Sequence, residues 1–232
     1  MRFSLAIALV LALIPAMARA QAANETSRAV KDGGVFAAGW TGEVDAKEAQ
    51  AGRTLKDARL ADEGGALHVT TGPAVTYWKP SNVAKGDYTV KATFKEPKFM
   101  ALNDHPHPYG LVIAGSGLGG PDHKYLYCAA YGNGSFIVRG FGPEPFQLNG
   151  RRAQPNPAVH AASGPGEPVT QDIAISVKGG RVECAINGTA VAAYDKAEVT
   201  APGHLTSTDG IYGLRFGHNT EAIVTGLAIT TP

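Results

Sequence analysis

The sequence predicts an all-β protein with antiparallel strands, folded as a sandwich or a barrel. Three observations carry this. From Gly64 onward the chain runs in strand-sized apolar or alternating segments, separated by hairpin-length gaps with no helices between them. Among 232 residues there are 29 Gly and 15 Pro, many for a helical protein and natural for short strands joined by tight turns. Two of the gaps, Gly179-Gly180 and Asn187-Gly188, are two-residue turns of the kind that close antiparallel hairpins.

The chain opens on Met1-Arg2, a nearly continuous apolar run from Phe3 to Ile14, and Ala18-Arg19-Ala20 with small residues at −3 and −1. This predicts a secretory signal peptide over 1–20, cleaved before Gln21. The apolar run is too short to span a bilayer, and no later segment reaches membrane-helix length. The mature chain is therefore expected to be secreted or periplasmic, without a membrane span, and its alanine-rich leader suggests a bacterium. Removing 1–20 takes away Arg2 and Arg19 and no acid, so Lys+Arg falls from 21 to 19 against 20 Asp+Glu, a net charge of −1. That balance, without a basic block, argues against nucleic acid or an anionic membrane surface as the partner.

Residues 21–63 read as a polar tail followed by a short helix or loop. The stretch DAKEAQAGRTLKDARLADE (45–63) has helical texture, interrupted at Gly52. The β-domain spans 64–232. Its expected strands are 66–72, 74–79, 87–95, 109–115, 124–131, 135–141, 171–178, 181–187, 189–194, 210–217 and 222–229. Across Gly179-Gly180, the residues Ile173, Ile175, Val177, Val182, Cys184 and Ile186 fall on one face and polar residues on the other. Only the Pro/Gly-rich insert 142–170 lacks a pattern, and an insert of that length in a compact domain is usually functional or disordered.

The hairpin at Gly132-Asn133-Gly134 admits two registers. A two-residue loop would turn Arg139 toward the core. A three-residue loop puts Leu126, Cys128, Ala130, Phe136 and Val138 inside, and Tyr125, Tyr127, Tyr131, Ser135 and Arg139 outside. Burying an unpaired guanidinium is costly, which selects the three-residue loop. It turns both cysteines of the chain, Cys128 and Cys184, inward, where an exported protein could join them; two free thiols would read the same.

The run GLVIAG, KYLYCAAYGNGSFIVRGF, DIAISVKGGRVECAINGTAVAAY and GIYGLRFGHN resembles concanavalin A-like lectin and glucanase domains. The nearest flavour is the laminin-G-like jelly roll, similar to secreted bacterial 3-keto-disaccharide hydrolase-type domains. The resemblance covers about 64–230 and implies an antiparallel two-sheet jelly-roll sandwich whose concave face meets sugar.

Four stretches bear on chemistry. Glu43-Val-Asp-Ala-Lys-Glu48 spells the E-x-D-x-x-E of laminarinase-type hydrolases, but the alternates Val44, Ala46 and Lys47 and the helical continuation fail its context, so it reads as a solvated loop. Gly115–Gly120 fits G-x-G-x-x-G without the helix that would hold a pyrophosphate. His105-Pro106-His107-Pro108 is extended and stiff, and its imidazoles could bind a divalent metal with His123 as third ligand, although no cofactor is required. Tyr127 and Arg139, with Arg215 from another strand, offer an apolar ring face and directed donors for sugar hydroxyls.

The expected site gathers His105, His107, Tyr109, Tyr127, Arg139, Arg215, His218 and Asn219 around a carbohydrate or related polar ligand. The alternatives are a glycoside or 3-keto-glycoside hydrolase on the same scaffold, and a periplasmic metal-binding or structural protein.

Overall fold

A computed structural model describes residues 27–232. The leader expected at 1–20 lies outside the described residues. In chain order the elements are β1 (Gly34–Val35), β2 (Thr41–Val44), α1 (Ala46–Gln50), β3 (Ala58–Glu63), β4 (Ala66–Thr71), β5 (Val75–Ala84), β6 (Tyr88–Glu96) and β7 (Pro108–Ser116). There follow β8 (Lys124–Tyr131), β9 (Ser135–Phe141), β10 (Pro145–Gln147), β11 (Gln154–Pro155), β12 (Val169–Lys178), β13 (Arg181–Ile186) and β14 (Thr189–Asp195). The last are α2 (Lys196–Val199), β15 (Gly210–Phe216) and β16 (Glu221–Thr230). No helix among the described residues is long and apolar enough to cross a membrane.

The strands form two sheets. The first runs β1-β3-β4-β16-β6-β12-β13-β14, and the second β10-β9-β8-β7-β15-β5-β2, with β11 also on β9. All pairings are antiparallel except β1 with β3. The fold is thus the two-sheet jelly-roll sandwich that the resemblance implied.

Strand alternation supplies the core between the sheets. Val90, Ala92 and Phe94 of β6, Ile173, Ile175 and Val177 of β12, and Val182, Cys184 and Ile186 of β13 all point inward. They meet Leu111, Ile113, Leu126, Val138, Leu214 and Phe216 from the second sheet. The turn at Asn187-Gly188 has φ of 51° and 80°, the left-handed pair that a two-residue hairpin requires and that Asn-Gly tolerates best.

Tyr131 pairs with Ser135 and Cys128 with Val138, so the β8–β9 loop has three residues and the arginine points away from the core. Cys128 on β8 and Cys184 on β13 form a disulfide between the two sheets, with Cα atoms 6.2 Å apart.

Four expectations are corrected. The sandwich does not begin at Gly64: β1, β2 and β3 all join its sheets. The ARLADE segment has helical composition, but pairing with β4 decides its conformation, and Ala58, Leu60 and Ala61 are buried there. The α-helical part is confined to Ala46–Gln50 and ends before Gly52, whose φ is 83°, with one further 3-10 turn at Leu55–Asp57. The insert is not shapeless either. β10 and β11 both pair with β9, Phe146 and Val159 enter the core, and the Asn149 side chain accepts from Val138 N–H and donates to the Phe136 carbonyl. Finally, β5 runs on past Pro80, because its pairing with β15 shifts register where the proline has no N–H to give.

Candidate functional site

The polar and aromatic residues gather on the outer face of the second sheet, the side turned away from the first. Registers put two rows across it. One is Glu43, Thr76, Arg215, Gly110, Ala129 and Ile137; the other is Thr41, Trp78, Gly213, Val112, Tyr127 and Arg139. Val112, Tyr125, Tyr127, Ala129 and Ile137 make a second apolar cluster on this face, and Leu118, Tyr131, Phe141 and Ala153 pack against it.

Tyr125 and Tyr127 are sunk into this patch, whereas Tyr131, Phe141 and Arg139 are half-buried and reach its surface. Phe141 lies 4.9 Å from the Tyr125 ring and 6.4 Å from the Tyr127 ring. The Tyr125 hydroxyl shares a hydrogen bond of 3.0 Å with the Thr76 hydroxyl. Arg139 donates through Nη2 to the Arg151 carbonyl of the insert at 2.9 Å, while its buried Nε–H has no partner among the described residues. Burial raises the pKa of the Tyr127 hydroxyl, partly offset by the nearby charges of Arg215 and Arg139.

Glu43 and Asp45 of the E-x-D-x-x-E stretch belong to this face, which corrects its reading as a solvated loop, while the helix expected to follow is α1. Thr41–Val44 alternates as a strand and pairs with β5, so Glu43 projects outward beside Thr76. Glu43 accepts from Gly119 N–H at 2.8 Å, and its other oxygen stands 3.3 Å from His123 Nδ1. The carboxylate so close to the ring raises the His123 pKa against the opposing effect of burial. Asp45 stands at the N-cap position of α1, but its carboxylate, instead of capping the helix, takes a bidentate pair from Arg215, with Nη2 to Oδ2 at 2.6 Å. Arg215 also donates to the Thr76 hydroxyl at 3.2 Å and lies 5.7 Å from the Tyr127 ring centre and 5.9 Å from that of Phe141. Glu48 turns instead to the Ser27 hydroxyl. The three carboxylates therefore go to three different partners, and the strand ends before Asp45. They do not project together as the hydrolase array requires.

The eight residues expected in one site do not converge. Tyr127, Arg139 and Arg215 share the outer face. Tyr109 does not: it is fully buried between the sheets and stacked on Phe94 at 5.8 Å, because odd-numbered residues of β7 face the core. His105, His107 and His218 gather elsewhere, at the end of the sheet where β7 begins and β15 ends. His107 lies five residues from Val112, and His218 five from Gly213, of the Tyr127 and Arg139 row, roughly 17 Å. Asn219 is buried with a φ of 49° and serves as a structural tie, accepting from Arg28 N–H and donating to the Asn103 side chain. His123 is not a third member of the His105–His107 group, since β8 carries it to Glu43 and to the rings of Tyr125 and Phe141.

No family profile matches the sequence. No curated protein matches it by sequence. Among solved structures, the carbohydrate-binding module CBM66 from Bacillus subtilis superposes with a TM-score of 0.55 at 10% identity, covering 85% of this chain and 99% of that one. A Bacillus subtilis protein of unknown function with a galectin-like fold gives a TM-score of 0.56 at 14% identity, covering 82% and 88%. The endo-β-1,3-glucanase from Pyrococcus furiosus gives 0.51 at 14% identity, covering 80% and 85%. The chain therefore shares the two-sheet sandwich fold of these structures.

Proposed function

We propose that the protein is an exported carbohydrate-binding sandwich that takes its ligand on the outer face of the second sheet. The observation that carries this reading is Arg139. Its Nε–H is a buried donor with no partner among the described residues, on the same sheet face as the half-buried rings of Tyr131 and Phe141. Aromatic rings present an apolar face to a sugar, and a guanidinium fork supplies the directed donors its hydroxyls need. His123 and Glu43 add a donor and an acceptor at the edge of the same patch.

Two of the surface hollows elsewhere are less suited. One, of about 480 Å³, is bounded by Asp45, Lys47, Glu48, Arg53 and His218; the other, of about 470 Å³, by Lys91, Thr93, Asp172 and Gly226. Neither is lined by Tyr, Trp or Phe. Fold likeness to a carbohydrate-binding module and a glucanase raises the standing of a sugar ligand by analogy alone. Export is supported by the disulfide, which forms and persists in oxidising compartments.

The test is a glycan array with the protein from Gln21 onward, followed by calorimetry on the best ligand. Arg139→Ala should weaken binding by about ten- to a hundred-fold, the worth of one charged hydrogen bond, with little change in melting temperature. Glu48→Gln should bind as the wild type. Wild-type affinity in Arg139→Ala would refute the assignment.

A further inference from the structure

We propose that His105, His107 and His218 form a binding site for a divalent transition-metal ion, zinc by preference, separate from the sugar face. One nitrogen from each of the three imidazoles lies within 4.8 Å of the others. The ring centres are 4.4 Å apart for His105 and His107, and 3.9 Å for His107 and His218.

The fold fixes this meeting. β7 and β15 are neighbours, with Phe216 opposite Tyr109, and Gly217 N–H donates to the Pro108 carbonyl at 2.7 Å. His107 immediately precedes Pro108 and His218 immediately follows Gly217, so one backbone hydrogen bond sets the two rings side by side. A side chain at position 217 would start 3.0 Å from the His107 Cβ, so glycine there lets the loop close. Prolines at 106 and 108 stiffen the loop that carries His105 and His107, which lowers the entropy cost of organising the ligands.

Two further details point to a cation. The His107 Nε2 is buried with no hydrogen-bond partner among the described residues, a state that is unfavourable unless something else binds there. The His105 Nδ1 is 2.7 Å from the Asp104 carboxylate, the arrangement that fixes a tautomer and aims Nε2 at a metal. Ligand nitrogens about 2.0–2.1 Å from a tetrahedral zinc stand about 3.3 Å apart, so the rings need only a small inward movement. An all-imidazole set suits zinc, copper or nickel over calcium or magnesium, and three protein ligands leave a fourth position open.

The experiment uses the chelator-treated protein from Gln21 onward, titrated with Zn2+ by calorimetry and with Co2+ by visible absorption. The wild type should take one ion per chain and show the cobalt absorption bands of a four-coordinate site. His105 is the most exposed of the three, with 45% of its side chain accessible, so His105→Ala should fold normally and lose stoichiometric binding. His218→Ala should do the same. Asp104→Asn should weaken affinity by about ten- to a hundred-fold, and His123→Ala should bind as the wild type. No stoichiometric uptake by the wild type, or unchanged uptake by His105→Ala, would overturn the proposal. A rise in melting temperature with Zn2+, present in the wild type and absent in His105→Ala, is the independent readout.

Discussion

Asp45 and Arg215, 170 positions apart in the chain, form a bidentate ion pair that ties the start of α1 to the middle of the outer sheet face. Only 8% of the Arg215 side chain is accessible, so its charge is balanced almost entirely by this one carboxylate. The pair keeps the Arg215 pKa well up despite burial, which by itself would lower it. Removing one partner of a buried pair strands the other charge. Asp45→Ala should therefore cost about 3–5 kcal/mol in urea denaturation. Adding Arg215→Met to it should recover much of that loss. A cost for Asp45→Ala below about 1 kcal/mol would show that Arg215 finds other solvation.

Glu96 gives the protein a predictable pH dependence. Burial raises its pKa from 4.5 to about 7. Between those values the folded chain holds a proton that the unfolded chain has released. The stabilisation is full below the unfolded pKa and is lost as pH rises through the folded one. The loss amounts to roughly 3 kcal/mol. Glu96→Gln should flatten the stability profile between about pH 5 and about pH 8. An equally steep profile in the variant would assign the effect to another group.

The disulfide closes a loop with a sequence separation of 56 between the two sheets. In the chain-entropy account it contributes about 4 kcal/mol. The double variant Cys128→Ala/Cys184→Ala should be less stable by about that amount, and thiol titration of the unfolded, unreduced wild type should find no free thiol. Two titratable thiols would contradict the bond.

His123 should report directly on Glu43. Its imidazole should titrate above the ordinary histidine value in NMR, because the Glu43 carboxylate 3.3 Å away favours its protonated form. Glu43→Gln should bring that pKa down. An unchanged titration would mean that the two side chains do not meet in solution.

The fold was largely readable in the sequence, because strand alternation and turn chemistry act locally. The facing of Cys128 and Arg139 followed from one steric and electrostatic choice about a three-residue loop. The failures came where distant contacts decide. Ala58–Glu63 has a helical composition and becomes a strand only because β4 lies beside it. Glu43 and Asp45 were discounted for their sequence neighbours, yet Thr76, Arg215 and His123 arrive from three other strands or strand ends to receive them. Tyr109 is expected in the site, yet strand period alone puts it on the same face as Leu111 and Ile113. The signal that could have recovered Glu43 was the alternation in Thr41-Gly42-Glu43-Val44, too short to stand out from its surroundings.

The central claim is that sugar meets the outer face of the second sheet. The most direct measurement is a two-dimensional NMR titration of the assigned protein from Gln21 onward with the glycan selected on an array. The account predicts saturable shifts centred on Tyr131, Arg139, Phe141 and His123, and little change at Thr93 and Asp172 on the opposite sheet. Saturable shifts confined to Thr93 and Asp172, or to Asp45, Glu48 and Arg53 beside α1, would contradict it.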